Sequence, residues 1–374
     1  MTSDAPSRVD PLLSAPRARR PASRIAGVLG FALGFAGAIS LVQTALGALP
    51  AWTSEEEGVA RIKARHLAEH GSDYDTLFVG SSQVYRQIDV ALFDRELARE
   101  GIRTRSYNLG LPGMRFFETL ARLAELLEAE SSPWRTLVIE LQDADPDLRP
   151  ENERSRRDLG WHTPAVTWIA CRTVWDSPRS LLEKLALVRR HLLEGALHVT
   201  SQGEGLPAAL ALLDRVRAPE DGTPGGFLPL ELDPSPGTVE RRREFLEELT
   251  RNRAWLDERW RDLCASDALP TEADLPSPAA QEALRNLVTN ARARGVEPVF
   301  VLLPPSDRRR REMLAARERG ILPNLIDLES PESYPEFHRQ LSLRYDEHHL
   351  NQAGAARLTS LLARSFRELP GGDS

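Results

Sequence analysis

The sequence predicts an α/β fold: a three-layer α/β/α domain with a mainly parallel sheet, a helical insertion and one N-terminal transmembrane helix. Three observations support this prediction. Short apolar runs alternate with stretches of helical periodicity, this alternation is interrupted between about residues 150 and 275, and residues 25–49 contain no charge. Strands that alternate with helices form parallel sheets covered by helices on both faces.

The N-terminal apolar segment is long enough to cross a bilayer. At a rise of about 1.5 Å per residue, a helix over residues 25–49 is longer than the roughly 30 Å hydrocarbon core of a bilayer. Four arginines precede the segment and three glutamates follow it: Arg17, Arg19, Arg20 and Arg24, then Glu55, Glu56 and Glu57. The positive-inside rule therefore places residues 1–24 in the cytoplasm as a tail. It places residues 50–374 outside the cytoplasm, anchored to the inner membrane by a single pass.

A cleaved signal peptide is the alternative for this segment, with a poor cleavage site at Ala45-Leu46-Gly47. The apolar stretch is longer than the core of a signal peptide, which favours an uncleaved anchor. Gly30 and Gly34 form a GxxxG pair that either seats a partner helix or reflects the frequency of glycine in membrane helices.

The segments that follow predict the strands and helices of the domain. Apolar runs predict strands at 76–80, 104–110, 135–141, 298–304 and 324–328. Helical patterns occupy about 90–100, 115–130, 276–294, 306–319 and 351–367. A parallel sheet of this kind binds ligands beyond the carboxyl ends of its strands.

The insertion, about residues 150–275, has no strand signal. Its helical patterns lie at 163–174, 178–199, 205–217 and 238–262, and a Pro/Gly-rich connection occupies 218–237. Because the insertion follows the third strand, we expect it to form a lid or a wall of the site and not a separate domain. The only cysteines, Cys171 and Cys264, lie in it; they either pair or remain separate thiols, because spacing alone does not decide.

Composition restricts the classes of function. The chain has 374 residues, 41% apolar and 28% charged, which is enough for one large domain. Its net charge is −7, and Lys63 and Lys184 are its only lysines. An acidic chain argues against a nucleic-acid surface.

The stretch "DTLFVGSSQVYRQID" (75–89) places two serines at the end of the first predicted strand. A serine hydroxyl is a nucleophile only when a neighbouring base takes its proton and a third group orients that base. Downstream, "RYDEHHLNQAGAARL" (344–358) offers Asp346 and His349, three residues apart and just before a helix that Asn351 can cap. These residues predict a Ser82, His349 and Asp346 triad.

Each of these motifs has a simpler reading. Gly-Ser-Ser after a strand is often only a turn, and residues 346–349 are either a solvated loop or part of a metal site whose third ligand has no recognisable spacing. The stretch "GLPG" (110–113) is a turn; with Asn108 where a glycine is needed, it is not a dinucleotide fingerprint. No cofactor is predicted. The triad is favoured because the serine motif and the Asp346–His349 motif lie at opposite ends of the domain, each after a predicted strand.

These motifs resemble those of the SGNH (GDSL-like) hydrolases. "VGSSQ" (79–83) is similar to the first block of that family, with Ser82 as nucleophile and Ser81 in place of the aspartate. "DEHHLN" (346–351) resembles the last block, which implies His349 as base and Asp346 as its partner. "YNLGLPG" (107–113) resembles the second block, whose glycine donates a backbone N–H to the oxyanion, a role that falls on Gly113 together with Ser82. The resemblance covers residues 75–147 and 296–367.

One block departs from the family pattern. In "LVIELQDADPD" (137–147), Ala144 stands where the family has its oxyanion asparagine. Losing one such donor costs about 10²–10³ in turnover. Gln142 and Asn108 are candidate substitute donors; alternatively a bound partner completes the site, or the domain has lost its chemistry.

The architecture resembles the membrane-anchored branch of the family, which works beside membrane-bound O-acyltransferases on cell-surface polysaccharides. The resemblance implies an esterase or O-acyltransferase that forms an acyl-serine on Ser82, with a carbohydrate or ester substrate. The alternative is a non-catalytic domain that binds polysaccharide or scaffolds a membrane acylation complex.

Overall fold

In the part of the chain that the structure describes, five parallel strands form one sheet in the order β2-β1-β3-β4-β5. The strands are β1 (Thr76–Val79), β2 (Ser106–Asn108), β3 (Thr136–Glu140), β4 (Glu297–Leu302) and β5 (Leu325–Asp327). This computed structural model describes residues 55–128, 134–148, 156–199, 224–267, 269–304 and 309–369, and six residues between 30 and 38. All five strands coincide with predicted apolar runs, and the predicted α/β class with a parallel sheet is confirmed.

The helices surround this sheet and connect its strands. In chain order they are α1 (Glu55–His70), α2 (Ser82–Gln87), α3 (Val90–Arg99), α4 (Phe116–Glu128), α5 (Arg156–Trp161), α6 (Pro164–Asp176), α7 (Leu181–Val199), α8 (Pro236–Arg251), α9 (Trp255–Ser266), α10 (Pro278–Ala293), α11 (Arg309–Glu318), α12 (Pro335–Arg339) and α13 (Gln352–Arg367).

Helices cover both faces of the sheet. Successive strand side chains point to opposite faces, so Leu77 and Phe78 of β1 enter two different cores. The core around Leu77 includes side chains of α1, α4, α10 and α11. The core around Phe78 includes side chains of α3, α12 and α13. The chain therefore has the layered arrangement that the alternation of strands and helices predicts.

The strand order has a reversal at β1. The chain passes from β1 outward to β2 and then returns to β3 on the other side of β1, where Val79 pairs with Ile139. In open α/β sheets the ligand crevice lies beyond the carboxyl ends of the strands at such a reversal. Gly80, Ser81 and Ser82 follow β1 directly and therefore lie at that point.

Some helices differ from the sequence prediction. The sequence patterns did not identify α1, α2, α5 or α12, and the single helix predicted over 238–262 is two helices, α8 and α9. Between them the side-chain oxygen of Asn252 accepts a hydrogen bond from the Ala254 N–H at 3.0 Å. Asparagine competes with helical hydrogen bonding in this way, so the first helix ends there and the next one begins.

Two further predictions concern the anchor and the cysteines. Most of residues 25–49, like 205–217, lies outside the described residues; the six that are described within 25–49 are helical. Among the described helices, none combines the length and the apolar character that a membrane span requires. Cys171 on α6 and Cys264 on α9 are free thiols, so the disulfide alternative does not hold in this structure.

Candidate active site

The turn after β1 depends on the absence of a side chain at Gly80. A Cβ atom at this position would lie 2.6 Å from the Glu140 carboxylate and would also collide with Val84. The next residue, Ser81, caps α2: its Oγ accepts a hydrogen bond from the Gln83 N–H at 3.1 Å. A serine at a helix N-cap stabilises the first turn. Ser82 is thereby held at the first helical position of α2.

Ser82, His349 and Asp346 form a continuous hydrogen-bonded chain. Ser82 Oγ lies 2.9 Å from His349 Nε2. His349 Nδ1 lies 2.9 Å and 3.0 Å from the two carboxylate oxygens of Asp346. The prediction that Ser82 and His349 lie together, with Asp346 behind the histidine, agrees with this geometry; their catalytic role remains a prediction.

Asp346 is held in the ionised form that the arrangement needs. Its Oδ1 also accepts the backbone N–H groups of His348 and His349, each at 2.8 Å. Burial by itself raises the pKa of this carboxyl, but the hydrogen bond and charge of His349, the His348 N–H and the Arg241 guanidinium outweigh it and lower the pKa to about 2. An ionised Asp346 requires the hydrogen of His349 to be on Nδ1, which leaves Nε2 as acceptor for the Ser82 hydroxyl.

The loop that carries Asp346 and His349 is built around a buried arginine. Arg344 is 2% exposed and donates to the carbonyl oxygens of Asp346 and Phe337, at 3.1 Å each, and to that of Glu347. Burial lowers the pKa of Arg344 to about 10, in spite of the nearby Asp346 charge. The loop is followed by α13, whose N-terminus Asn351 caps as predicted, accepting from the Gly354 N–H at 2.9 Å.

Ser81 points away from this chain, toward β3. Its N–H and Oγ both donate to the Glu140 carboxylate, at 2.7 Å and 3.1 Å. Glu140 is completely buried and forms an ion pair of 2.5 Å with Arg309, which also contacts Glu329 at 3.4 Å. The third nitrogen of the Arg309 guanidinium donates to the Gln83 side chain in α2. This buried cluster fixes the turn that presents Ser82.

The two candidate substitute donors are hydrogen-bonded elsewhere. The Asn108 amide donates to the carbonyl oxygens of Val84 and Ile88, at 2.7 Å and 3.0 Å, so both of its hydrogens are engaged and its proposed role as oxyanion donor is corrected. The Gln142 amide donates to Glu140 at 2.6 Å, which leaves its oxyanion role a prediction. Ala144 packs against the apolar core and offers no side-chain donor.

Gly113 lies in a tight turn on the same side of the molecule. Its φ of 65° is in the left-handed region that favours glycine, and the Met114 N–H donates back to the Leu111 carbonyl at 3.2 Å. The loop is tied to the serine turn because the Leu111 N–H donates to the Gly80 carbonyl at 2.9 Å. Arg157 of α5 supports it from the insertion, donating to the Pro112 carbonyl at 2.5 Å.

The insertion also reaches the triad loop and α2. Arg86 of α2 pairs with Asp233 at 2.5 Å, and both side chains are buried. Arg242 of α8 donates to the Arg344 carbonyl at 3.1 Å and to that of Tyr345. The insertion therefore contacts α2 through Asp233 and the triad loop through α8.

Sequence analysis did not identify Glu140, Arg309 or Arg344 as residues that position the site. A signal was present for Glu140, which interrupts the apolar run "LVIEL" (137–141). Charged side chains are rarely buried unless they are paired, so a glutamate within a buried strand predicts a cationic partner. The sequence does not show that this partner is Arg309, because the two residues are far apart in the chain.

Comparison with protein families, with curated proteins and with solved structures finds no match in any of the three.

Proposed function

We propose that this chain is a membrane-anchored, exported SGNH-like serine esterase or O-acyltransferase that forms an acyl-serine on Ser82. The observation that carries the proposal is the chain of hydrogen bonds from Ser82 Oγ to His349 at 2.9 Å and on to Asp346 at 2.9 Å. The motif resemblance described above supports the same reaction class. An activated serine beside an oriented histidine is the arrangement that acyl transfer requires.

The reaction proceeds in two halves. In the first, Ser82 Oγ attacks the carbonyl carbon of the acyl donor while His349 Nε2 takes the hydroxyl proton, and the charge of Asp346 stabilises the imidazolium. The tetrahedral intermediate collapses, the ester C–O bond breaks, and His349 gives the proton to the leaving alcohol. In the second half, His349 takes a proton from water or from a carbohydrate hydroxyl as its oxygen attacks the acyl-serine; the bond from the acyl carbon to Ser82 Oγ then breaks, and His349 returns the proton to Ser82 Oγ.

Stabilisation of the oxyanion is the weak part of this site. The proposal assigns it to the backbone N–H groups of Ser82 and Gly113, with no side-chain donor at Ala144. The absence of one donor lowers turnover by about 10²–10³. Ala144 and the fully engaged Asn108 amide favour the second candidate function, a non-catalytic domain that binds polysaccharide or scaffolds a membrane acylation complex.

The proposed location follows from the charge-free segment 25–49 and the arginines before it. It places the domain on the periplasmic side of the inner membrane, with the bilayer as one partner, a membrane-bound O-acyltransferase as another, and a cell-surface carbohydrate as acceptor. No nucleic acid and no cofactor enter the proposal.

The test compares two adjacent serines. Ser82→Ala should abolish cleavage of activated acyl esters and labelling by a serine-directed fluorophosphonate, because no nucleophile remains beside His349. Ser81→Ala should keep most of both, because the backbone N–H of residue 81 still donates to Glu140 and the lost hydroxyl does not contact His349. If the unmodified protein neither reacts with the probe nor cleaves the esters, the esterase proposal fails and the non-catalytic binding domain becomes the better supported function.

A further inference from the structure

An apolar cavity of about 540 Å³ lies beside α1, away from the Ser82 and His349 side chains. Its walls are α1, α4 and the loop that follows β2. The side chains that line it include Ala60, Ala64, Leu67, Leu111, Met114 and Leu126. Protein sites for small organic ligands are concave, of about 300–1,000 Å³ and lined mainly by apolar side chains. The cavity has the size and the lining of such a site.

The cavity is elongated along α1. Ala60, Ala64 and Ala68 follow one another at intervals of four residues and all face it. At 1.5 Å per residue these three positions cover about 12 Å of the helix. Small side chains on α1 leave a slot against Leu126 of α4, which is open to solvent where Ala64 and Ala68 are exposed.

The charged residues of the cavity are arranged so that its body is apolar. Glu69 and Glu125 are solvent-exposed, and Arg122 pairs with Glu125 at 3.0 Å. Lys63 is buried, but its ammonium group is directed to the carbonyl oxygens of Asn108, Gly110 and Gly226, at 2.8–2.9 Å. The ammonium charge is therefore used to tie α1 to the loop after β2 and to the insertion. A ligand in the slot meets mainly hydrocarbon, with polar groups near the exposed edge.

We propose that this cavity binds a single acyl chain, with the polar end of the lipid at the exposed edge. The apolar lining along α1 and the polar, solvent-exposed edge match the amphipathic character of that ligand class. The helix that forms the wall begins at Glu55, six residues after the charge-free segment 25–49, and a bilayer supplies acyl chains. The proposal is independent of chemistry at Ser82, since neither Ser82 nor His349 lines the cavity.

The experiment uses the full chain in lipid nanodiscs and a palmitate analogue with a photoreactive diazirine on its chain. After illumination, peptide mapping should find labelling concentrated in residues 60–72 and 109–126. Labelling of residues 25–49 serves as the internal reference for general contact with lipid. A second arm of the experiment carries the same photoreactive chain on a phosphatidylcholine. Labelling of the cavity in the first arm alone identifies free fatty acid as the source, labelling in the second alone identifies phospholipid, and labelling in both means that either is bound.

Ala64→Trp fills the slot and should reduce labelling of the cavity at least tenfold relative to the reference segment, without lowering the thermal unfolding temperature. Ala68→Trp, one turn further along the same row and exposed like Ala64, is the second variant if the first unfolds. Ala98→Trp on α3, on the other face of the sheet, is the matched control and should label as the unmodified protein does.

Unlabelled fatty acids of increasing length should compete more strongly by about fourfold per methylene, from about 0.8 kcal/mol per buried CH₂. Competition should level off when the chain is longer than the slot. Three results would overturn the proposal: absence of labelling at the cavity in both arms, labelling that Ala64→Trp and Ala68→Trp both leave unchanged, or competition that rises to the longest chain without levelling off. If the protein fails the Ser82 test but is labelled at the cavity as described here, the proposed catalytic function is wrong and the lipid site still holds.

Discussion

Asp346→Asn changes the proton arrangement of the triad while preserving its shape. Asp346 Oδ1 accepts the N–H groups of His348 and His349 at 2.8 Å each, so the carbonyl oxygen of an asparagine should remain on that side. The asparagine NH₂ then faces His349 Nδ1, which must become an acceptor. The ring hydrogen moves to Nε2, where it points at Ser82 Oγ and prevents Nε2 from taking the serine proton.

Two magnitudes follow from this change. The wrong tautomer should lower acyl-ester turnover by about 10⁴, as the same change does in serine proteases of the triad class. For stability, the lowering of the pKa of Asp346 from 3.8 to about 2 corresponds to roughly 2–3 kcal/mol at neutral pH. Because the folded-state pKa is lowered, this stabilisation is present above about pH 4 and is lost as the pH falls toward 2.

The assays are turnover of an activated acetate ester and urea unfolding at several pH values. We expect Asp346→Asn to be less stable than the unmodified protein at pH 7 and the difference to shrink between pH 4 and pH 2. Asp94→Asn is the matched control, since Asp94 accepts three hydrogen bonds from Thr104 and Ser106 at the opposite end of the sheet and should leave turnover unchanged. If Asp346→Asn keeps a tenth or more of the ester turnover, the assignment of Asp346 as the group that orients His349 is refuted.

Three further predictions test the serine turn, the topology and the insertion. Glu140→Gln should cost about 3–5 kcal/mol in denaturant unfolding because it leaves the buried Arg309 charge with a weakened partner, whereas Glu96→Gln in a surface pair should cost under about 1 kcal/mol; a similar cost for both would contradict the role of the buried cluster. A reporter active only in the cytoplasm, fused after residue 374, should be silent, and activity there would invalidate the export of 50–374. Limited proteolysis should release no stable fragment of 150–275, because the insertion contacts α2 through Asp233 and the triad loop through Arg242; a compact surviving fragment would indicate a separate domain.

The sequence by itself determined the features that depend on neighbours in the chain. Runs of five to seven residues identified all five strands; four of the runs are largely apolar, as burial on both faces requires, whereas the β2 run "TRSYNLG" (104–110) is mainly polar. Gly80 marked the turn through its missing side chain, and Asn351 marked the start of α13 through its capping oxygen. Short helices such as α2 and α12 escaped detection because one or two turns provide too little periodicity to recognise.

Only the tertiary structure decided which distant groups meet. Ser82 and His349 are 267 residues apart, and their contact depends on how the last helix and its loop pack beside β1. The hydrogen-bond partners of Asn108 were likewise not predictable from the sequence. Its amide has the chemistry of an oxyanion donor, but in the fold it donates to the carbonyl oxygens of Val84 in α2 and of Ile88 at the end of that helix. The cavity beside α1 has no local signature at all, since it is the space left between two helices. Residue type and spacing determine what a group can do, whereas long-range packing determines which partner it meets.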